Sequence, residues 1–272
     1  MAQPNRDTSH KDPSQLSIPL IDLTPLTSPT LSDRQTCANA ILSAFADYGF
    51  CYLTSPPNLP ASKIATIFQH SASFFALPQA EKDRLAWTTP QSNRGYVREG
   101  REKTSHALTA SEVALERAQA CDLKESMEIG RDDDAEHPNH WPPSSPSFRS
   151  AMTSFHSECA HLHALIMSAI ALGLGLDEHH FSPMLKKAEN NLRLLHYPAV
   201  SKQVFRRNAG QVRAGAHTDY GSVTLLWQDT RGGLQVQPDG EGGVWRDVHP
   251  VQGSLVVNAG DLLARWSNDR IK

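Results

Sequence analysis

The spacing of apolar residues changes character near residue 190, and the two halves of the chain predict different elements. Residues 18–23 (IPLIDL) form a short apolar run closed by Thr, Pro and Ser, which reads as a strand. Cys37, Ile41, Ala44, Phe45 and Tyr48 then recur at helical spacing up to Gly49, with Ser32 and Gln35 placed for a capping box, so an amphipathic helix is expected there. Residues 50–53 (FCYL) predict a second strand, 54–60 (TSPPNLP) break it, and Ile64, Ile67, Phe68 and Phe75 mark another helix. The longest helical pattern, 147–174, carries Phe148, Met152, Phe155, Cys159, Leu162, Leu165, Ile166 and Ile170 and ends in Gly173 and Gly175. Its apolar stripe suits a helix that buttresses a neighbouring layer.

From Asn191 the pattern becomes short β-type runs separated by turn residues: 192–197, 212–218, 222–227, 234–237, 244–248, 254–258 and 262–266. Regular short strands of this kind predict a sandwich or barrel. The segment 239–243 (DGEGG) reads as a hairpin turn, because glycine supplies the positive φ that tight reversals need. The expected class is therefore mixed α+β with a mainly β core. Residues 1–17, polar and proline-containing, read as a disordered lead-in. No repeat of solenoid length is present.

Composition narrows the function classes. At 272 residues the chain is long enough for a sizeable core, and 26 Lys and Arg against 29 Asp and Glu leave no basic footprint for nucleic acid. The longest apolar run, 164–176, contains Ser168 and two glycines and is too short to span a membrane. Residues 1–15 lack the apolar core of a signal peptide, so a cytoplasmic address is expected. Cys37, Cys51, Cys121 and Cys159 make no CxxC pair and read as buried free thiols. Neither a nucleic-acid nor a membrane partner is expected from these features; oligomeric state is open.

One segment stands out chemically. His217 and Asp219 lie two positions apart at the end of an expected strand, where a two-residue period turns both side chains to one face. One imidazole and one carboxylate suit a divalent metal, and a second histidine would complete the 2-His-1-carboxylate face used for iron(II). Taken alone, such a pair more often caps a turn. Other histidines offer less: His156, His161 and His163 do not share one helical face, His179 and His180 fall in a loop, and His249 sits in a turn. His196 alternates with Tyr197 and should face the opposite side of its strand. The acidic run 131–134 (RDDD) reads as solvated surface, and neither a dinucleotide loop nor a G-x-S-x-G elbow is found.

Several segments, in order, resemble the isopenicillin N synthase-like family of 2-oxoglutarate- and iron(II)-dependent dioxygenases. These are IPLIDL at 18–23, YGFCYL at 48–53, FFALPQAEK at 74–82, RGY at 94–96, DLKESMEIG at 122–130, LRLLHYP at 192–198, AHTDYGSVTLLWQD at 216–229, GGLQV at 232–236 and VNAGD at 257–261. The resemblance implies an N-terminal dioxygenase region over 18–135, a buttressing helix over 147–180 and a partial jelly-roll over 188–272, in which a distorted double-stranded β-helix is incomplete at its C-terminal end.

It also implies the chemistry: His217 and Asp219 as iron(II) ligands, Tyr197 as a contact to 2-oxoglutarate, and O2 as oxidant. The co-substrate would be decarboxylated to succinate while a small organic molecule is hydroxylated, desaturated or cyclised, as in secondary metabolism or small-heterocycle oxidation. Leu195 stands where many relatives have an Asn, so that co-substrate hydrogen bond is not carried over. Relatives place a second ligand histidine some fifty residues beyond the H-x-D, and an Arg-x-Ser pair that grips 2-oxoglutarate shortly after. NDRIK at 268–272 resembles the approach to that histidine. The expectation is thus a C-terminally truncated chain with weakened turnover, since losing a bidentate Arg–carboxylate contact costs on the order of 2–5 kcal/mol. Two alternatives are a non-catalytic binding or regulatory remnant of the fold and an oxidase independent of 2-oxoglutarate. Succinate release separates the first, and oxygen uptake without that acid the second.

Overall fold

The computed structural model describes residues 18–89, 92–101, 121–208, 211–237 and 243–272. The expected lead-in at 1–17 and the turn residues 239–242 lie outside them. Strand β1 (Leu20–Asp22) precedes helix α1 (Leu31–Tyr48) and strand β2 (Phe50–Thr54). Gly49 adopts φ +73° and returns its N–H to Phe45, a left-handed cap that turns the chain directly from helix into strand. The expected capping box does not form, because the helix already begins at Leu31 and Ser32 lies inside it. Ser28 takes over locally, with its hydroxyl joined to the Thr30 N–H and to Asp33.

Helices α2 (Ala61–Phe75) and α3 (Gln79–Asp83) are followed by β3 (Gly95–Val97), β4 (Glu125–Ile129), the long α4 (Pro146–Gly173), and the single-turn α5 (Ser182–Leu185). Then come β5 (Leu192–His196), α6 (Lys202–Arg207), β6 (Val223–Leu226), β7 (Gln235–Val236), β8 (Arg246–Asp247), β9 (Ser254–Ala259) and α7 (Asp261–Trp266).

Two expected strands are corrected. Residues 262–266 belong to α7, since Leu, Ala, Arg and Trp favour helix, Asp261 occupies the first turn, Arg265 the last, and Leu263 is the residue that is buried. Residues 212–218 join no ladder. They run between other segments and bond to them one group at a time, as described below.

Three sheets result, with orders β1-β2-β9-β6, β3-β4-β5 and β7-β8. In the first, β9 lies between β2 and β6 and is antiparallel to both. The pleat sends Cys51, Leu53, Leu255 and Val257 into the main core, where α1 and α4 also bury Ile41, Phe45, Ile166 and Ile170. The opposite face presents Tyr52, Leu226 and Val256 to Val236 of β7 and to Val248 just after β8. A small second core is thus enclosed between two sheets, as in a rolled sheet packed on itself.

The β3-β4-β5 sheet is held by a buried polar cluster. Glu125 accepts from Lys82 Nζ at 2.8 Å and from the Tyr96 hydroxyl, and its other oxygen meets His196 Nδ1 at 2.7 Å. His196 faces this cluster, with its ring centroid 5.2 Å from that of Phe75. Burial alone would raise the Glu125 pKa, but the bonds from Lys82, Tyr96 and His196 outweigh it and hold the carboxylate below its ordinary value. Burial, reinforced by the adjoining carboxylate, pushes the Tyr96 phenol up. All four cysteines are free thiols, and burial pushes Cys51 and Cys159 up to about 12.

Candidate metal and co-substrate site

His217 and Asp219 emerge from the unladdered segment just before β6. Their side chains converge: His217 Nε2 lies 3.6 Å from Asp219 Oδ1, and both remain partly open to solvent. Each outer atom is already engaged. His217 Nδ1 sits 3.0 Å from the Gly215 carbonyl, which fixes the proton on Nδ1 and leaves the Nε2 lone pair toward Asp219. Asp219 Oδ2 accepts from Thr224 Oγ1 at 2.5 Å and from Asn258 Nδ2 at 2.8 Å, leaving Oδ1 facing the imidazole.

These two donors arrive as a pair, because Thr224 on β6 and Asn258 on β9 are direct cross-strand partners on one face. The arrangement fits a divalent metal: two ligand atoms, each about 2.1 Å from an ion, lie within about 4.2 Å of one another. Among the described residues no group of three or more His, Cys, Asp or Glu gathers closely enough to hold a metal.

The backbone around Asp219 is equally constrained. Its carbonyl accepts from Asp261 N at 2.8 Å, and the Ser222 carbonyl accepts from Gly260 N at 2.9 Å. A Cβ on Gly260 would lie 2.2 Å from the Gly221 oxygen and 2.8 Å from the Asp219 oxygen, so glycine permits the chain before α7 to press against this loop. Thr218 adds a bond to Asp261 Oδ2 at 3.0 Å.

Tyr197 follows β5 and is placed beside Arg213, whose guanidinium carbon lies 5.5 Å from the phenol ring centre and whose Nη2 donates to the Pro198 carbonyl at 2.7 Å. Leu195 shares the alternation of Tyr197 and is exposed. Of the other histidines, His156 bonds to the Asn190 carbonyl, His163 to Ser222 Oγ at 2.8 Å, and His249 is exposed, with its carbonyl accepting from Tyr52. Thr224 and Asn258 carry no role on sequence alone. A signal is available, as Asn258 stands within VNAGD and Thr224 within the segment after the H-x-D, but only register shows that both reach one oxygen.

Comparison with known proteins supplies the family. Residues 18–144 match the family described as non-haem dioxygenase in morphine synthesis N-terminal, and 188–272 match the 2OG-Fe(II) oxygenase superfamily. The proline hydroxylase buaE of Petromyces alliaceus is 33% identical over 261 residues, covering 94% of this chain and 79% of that protein. The 2-oxoglutarate-dependent dioxygenase frbA of a Dothideomycetidae species is 35% identical, covering 94% and 77%. Among solved structures, a full-length Neurospora crassa protein in complex with alpha-KG superposes with a TM-score of 0.84 at 46% identity, covering 96% of this chain and 78% of that one. The same Neurospora protein has been solved with thymine bound as well. The jelly-roll core, the two matched regions and the relatives agree: this chain belongs to the 2OG-Fe(II) oxygenase family of non-haem enzymes, which use iron(II), 2-oxoglutarate and O2.

Proposed function

We propose that this enzyme oxidises a small nitrogen heterocycle of the thymine kind, with iron(II) held by His217 and Asp219 and 2-oxoglutarate contacted by Tyr197. The observation that supports the metal assignment is the 3.6 Å approach of His217 Nε2 to Asp219 Oδ1, with the far atom of each side chain already bonded. What supports the substrate class is 46% identity over 96% of the chain to the Neurospora crassa protein solved with alpha-KG and thymine. When bound, iron(II) supplies the activation of O2 coupled to oxidative decarboxylation of 2-oxoglutarate.

The chain's own residues supply position. The Gly215 carbonyl holds His217 in the tautomer with Nε2 unprotonated, Thr224 and Asn258 orient the Asp219 carboxylate and disperse its charge, and Arg213 holds the Tyr197 ring. Four unpaired thiols suit a reducing compartment, and the cytoplasm is the location we propose.

The test is succinate formation by the purified protein with iron(II), 2-oxoglutarate and O2, in the presence of thymine or of free proline. Thymine-dependent succinate with a hydroxylated pyrimidine is the expected result. Proline-dependent succinate with none from thymine would replace this reading by amino-acid hydroxylation, the activity named for the Petromyces relative.

A further inference from the structure

The segment that carries His217 has no sheet ladder to hold it, yet it is fixed at several points by residues 121–124. Leu123 N donates to the Arg213 carbonyl at 2.9 Å, Gln211 Nε2 donates to the Cys121 carbonyl at 2.7 Å, and Gly215 N donates to Asp122 Oδ1 at 3.1 Å. The other oxygen of Asp122 is 3.0 Å from Lys124 Nζ. Asp122 is 1% exposed and Lys124 5%, so this is a fully enclosed ion pair. Enclosing two charges is expensive, and apolar residues of similar size would often serve stability as well or better. The pair's effect is geometric. One carboxylate oxygen holds the N–H of Gly215, while the carbonyl of the same residue holds Nδ1 of His217.

We infer that the buried Asp122–Lys124 pair is a positioning device for the metal site: Asp122 fixes Gly215, and Gly215 in turn sets the ring orientation and tautomer of His217. This rests on the assignment of His217 and Asp219 as metal ligands. Lys124 acts by holding the second oxygen of Asp122, which keeps the first directed at the Gly215 N–H in a dry setting. Arg213, held to Leu123 through its carbonyl and to Pro198 through its guanidinium, extends the same clamp toward Tyr197. The metal-ligand segment and the co-substrate strand are thereby referenced to one buried point.

The experiment is titration of the apo protein with Mn(II) alone, followed by calorimetry, for the unsubstituted chain, for Asp122→Ala, Asp122→Glu and His217→Ala, and for Asp122→Asn combined with Lys124→Met, with folding of each checked by circular dichroism. Replacing a residue that orients a ligand costs about ten- to a hundredfold in metal affinity. Asp122→Ala should therefore bind Mn(II) at least tenfold more weakly. The double variant should stay within a fewfold of the unsubstituted chain, because its amide oxygen still accepts the Gly215 N–H and no buried ammonium faces the amide nitrogen. Where Asp122→Ala does not fold, Asp122→Glu and the double variant decide: weakening by Glu, whose longer arm displaces the acceptor, with retention by the double variant, is the expected pair of results. Unsubstituted affinity in a folded Asp122→Ala or Asp122→Glu, or tenfold weakening in a folded double variant, overturns the inference while His217→Ala still abolishes binding. Unchanged binding by His217→Ala overturns the ligand assignment itself.

Discussion

Asn258 on β9 donates to Oδ2 of Asp219 at 2.8 Å, a bond across thirty-nine residues that ties an interior strand of the four-stranded sheet to the carboxylate facing His217. Its cross-strand partner Thr224 reaches the same oxygen. A carboxylate held by two donors from two strands has its second oxygen aimed without rotating, and orientation of this kind is what ligand affinity depends on.

Removing these donors should therefore be felt at the metal. Asn258→Leu and Thr224→Val each are expected to weaken Mn(II) binding by about ten- to a hundredfold with little change in secondary structure. Titration calorimetry of the apo variants checks this; affinities equal to the unsubstituted protein would show that Asp219 needs neither donor.

A methyl group at residue 260 should be damaging out of proportion to its size. In Gly260→Ala the new Cβ meets the backbone oxygens of Gly221 and Asp219, neither of which belongs to a flexible side chain. Overpacking of this kind costs typically about 1–3 kcal/mol, and here it displaces the Asp219 loop as well. Urea denaturation should register the loss, together with weakened Mn(II) binding; retention of both would contradict the packing described.

The cluster around Glu125 predicts an asymmetry. Lys82→Met leaves a buried carboxylate without its ammonium and should cost about 3–5 kcal/mol, whereas Lys82→Met combined with Glu125→Gln should recover part of that loss. Both partners are under a tenth exposed, so solvent offers little compensation. Equal stability of the single and double variants in chemical denaturation would rule this out.

Acid sensitivity follows in part from His163 and Glu125, two of the groups whose pKa values are depressed in the folded protein. Burial keeps His163 neutral and below its ordinary 6.5, opposed by a bond to Asn190. Its stabilising contribution is complete above pH 6.5 and is lost as pH falls below that value, because the unfolded chain takes up the proton more readily. Glu125, held below its ordinary 4.5, adds a second loss further down. The melting temperature should start to fall as pH drops below 6.5, and His163→Gln should flatten the part of that slope that lies just below 6.5. An unchanged slope in the variant would remove His163 as its source.

Much of the architecture is legible in the sequence because local patterns and tertiary needs agree in α1, β2, α4 and β9, where apolar spacing matches the face that is buried. His217 and Asp219 are readable from spacing, and they do converge. Residues 212–218 mimic a strand because their alternation is that of extended backbone, and nothing local reveals that their hydrogen bonds go singly to Asp122 and Leu123. Residues 262–266 mislead because five apolar-rich residues fit either period. The meeting of Lys82, Tyr96, Glu125 and His196 is hidden for another reason: each lies in a separate segment, and the β3-β4-β5 register gathers the last three while α3 adds Lys82.

Because β9 is flanked by β2 on one side and β6 on the other, hydrogen bonds run unbroken from the N-terminal matched region into the C-terminal one. A fragment beginning at residue 188 would forfeit the neighbour that lines the whole of β9, exposing the very rung that bears Asn258. The two regions are therefore one cooperative unit: they should melt in a single transition, and neither can be transplanted as an independent module.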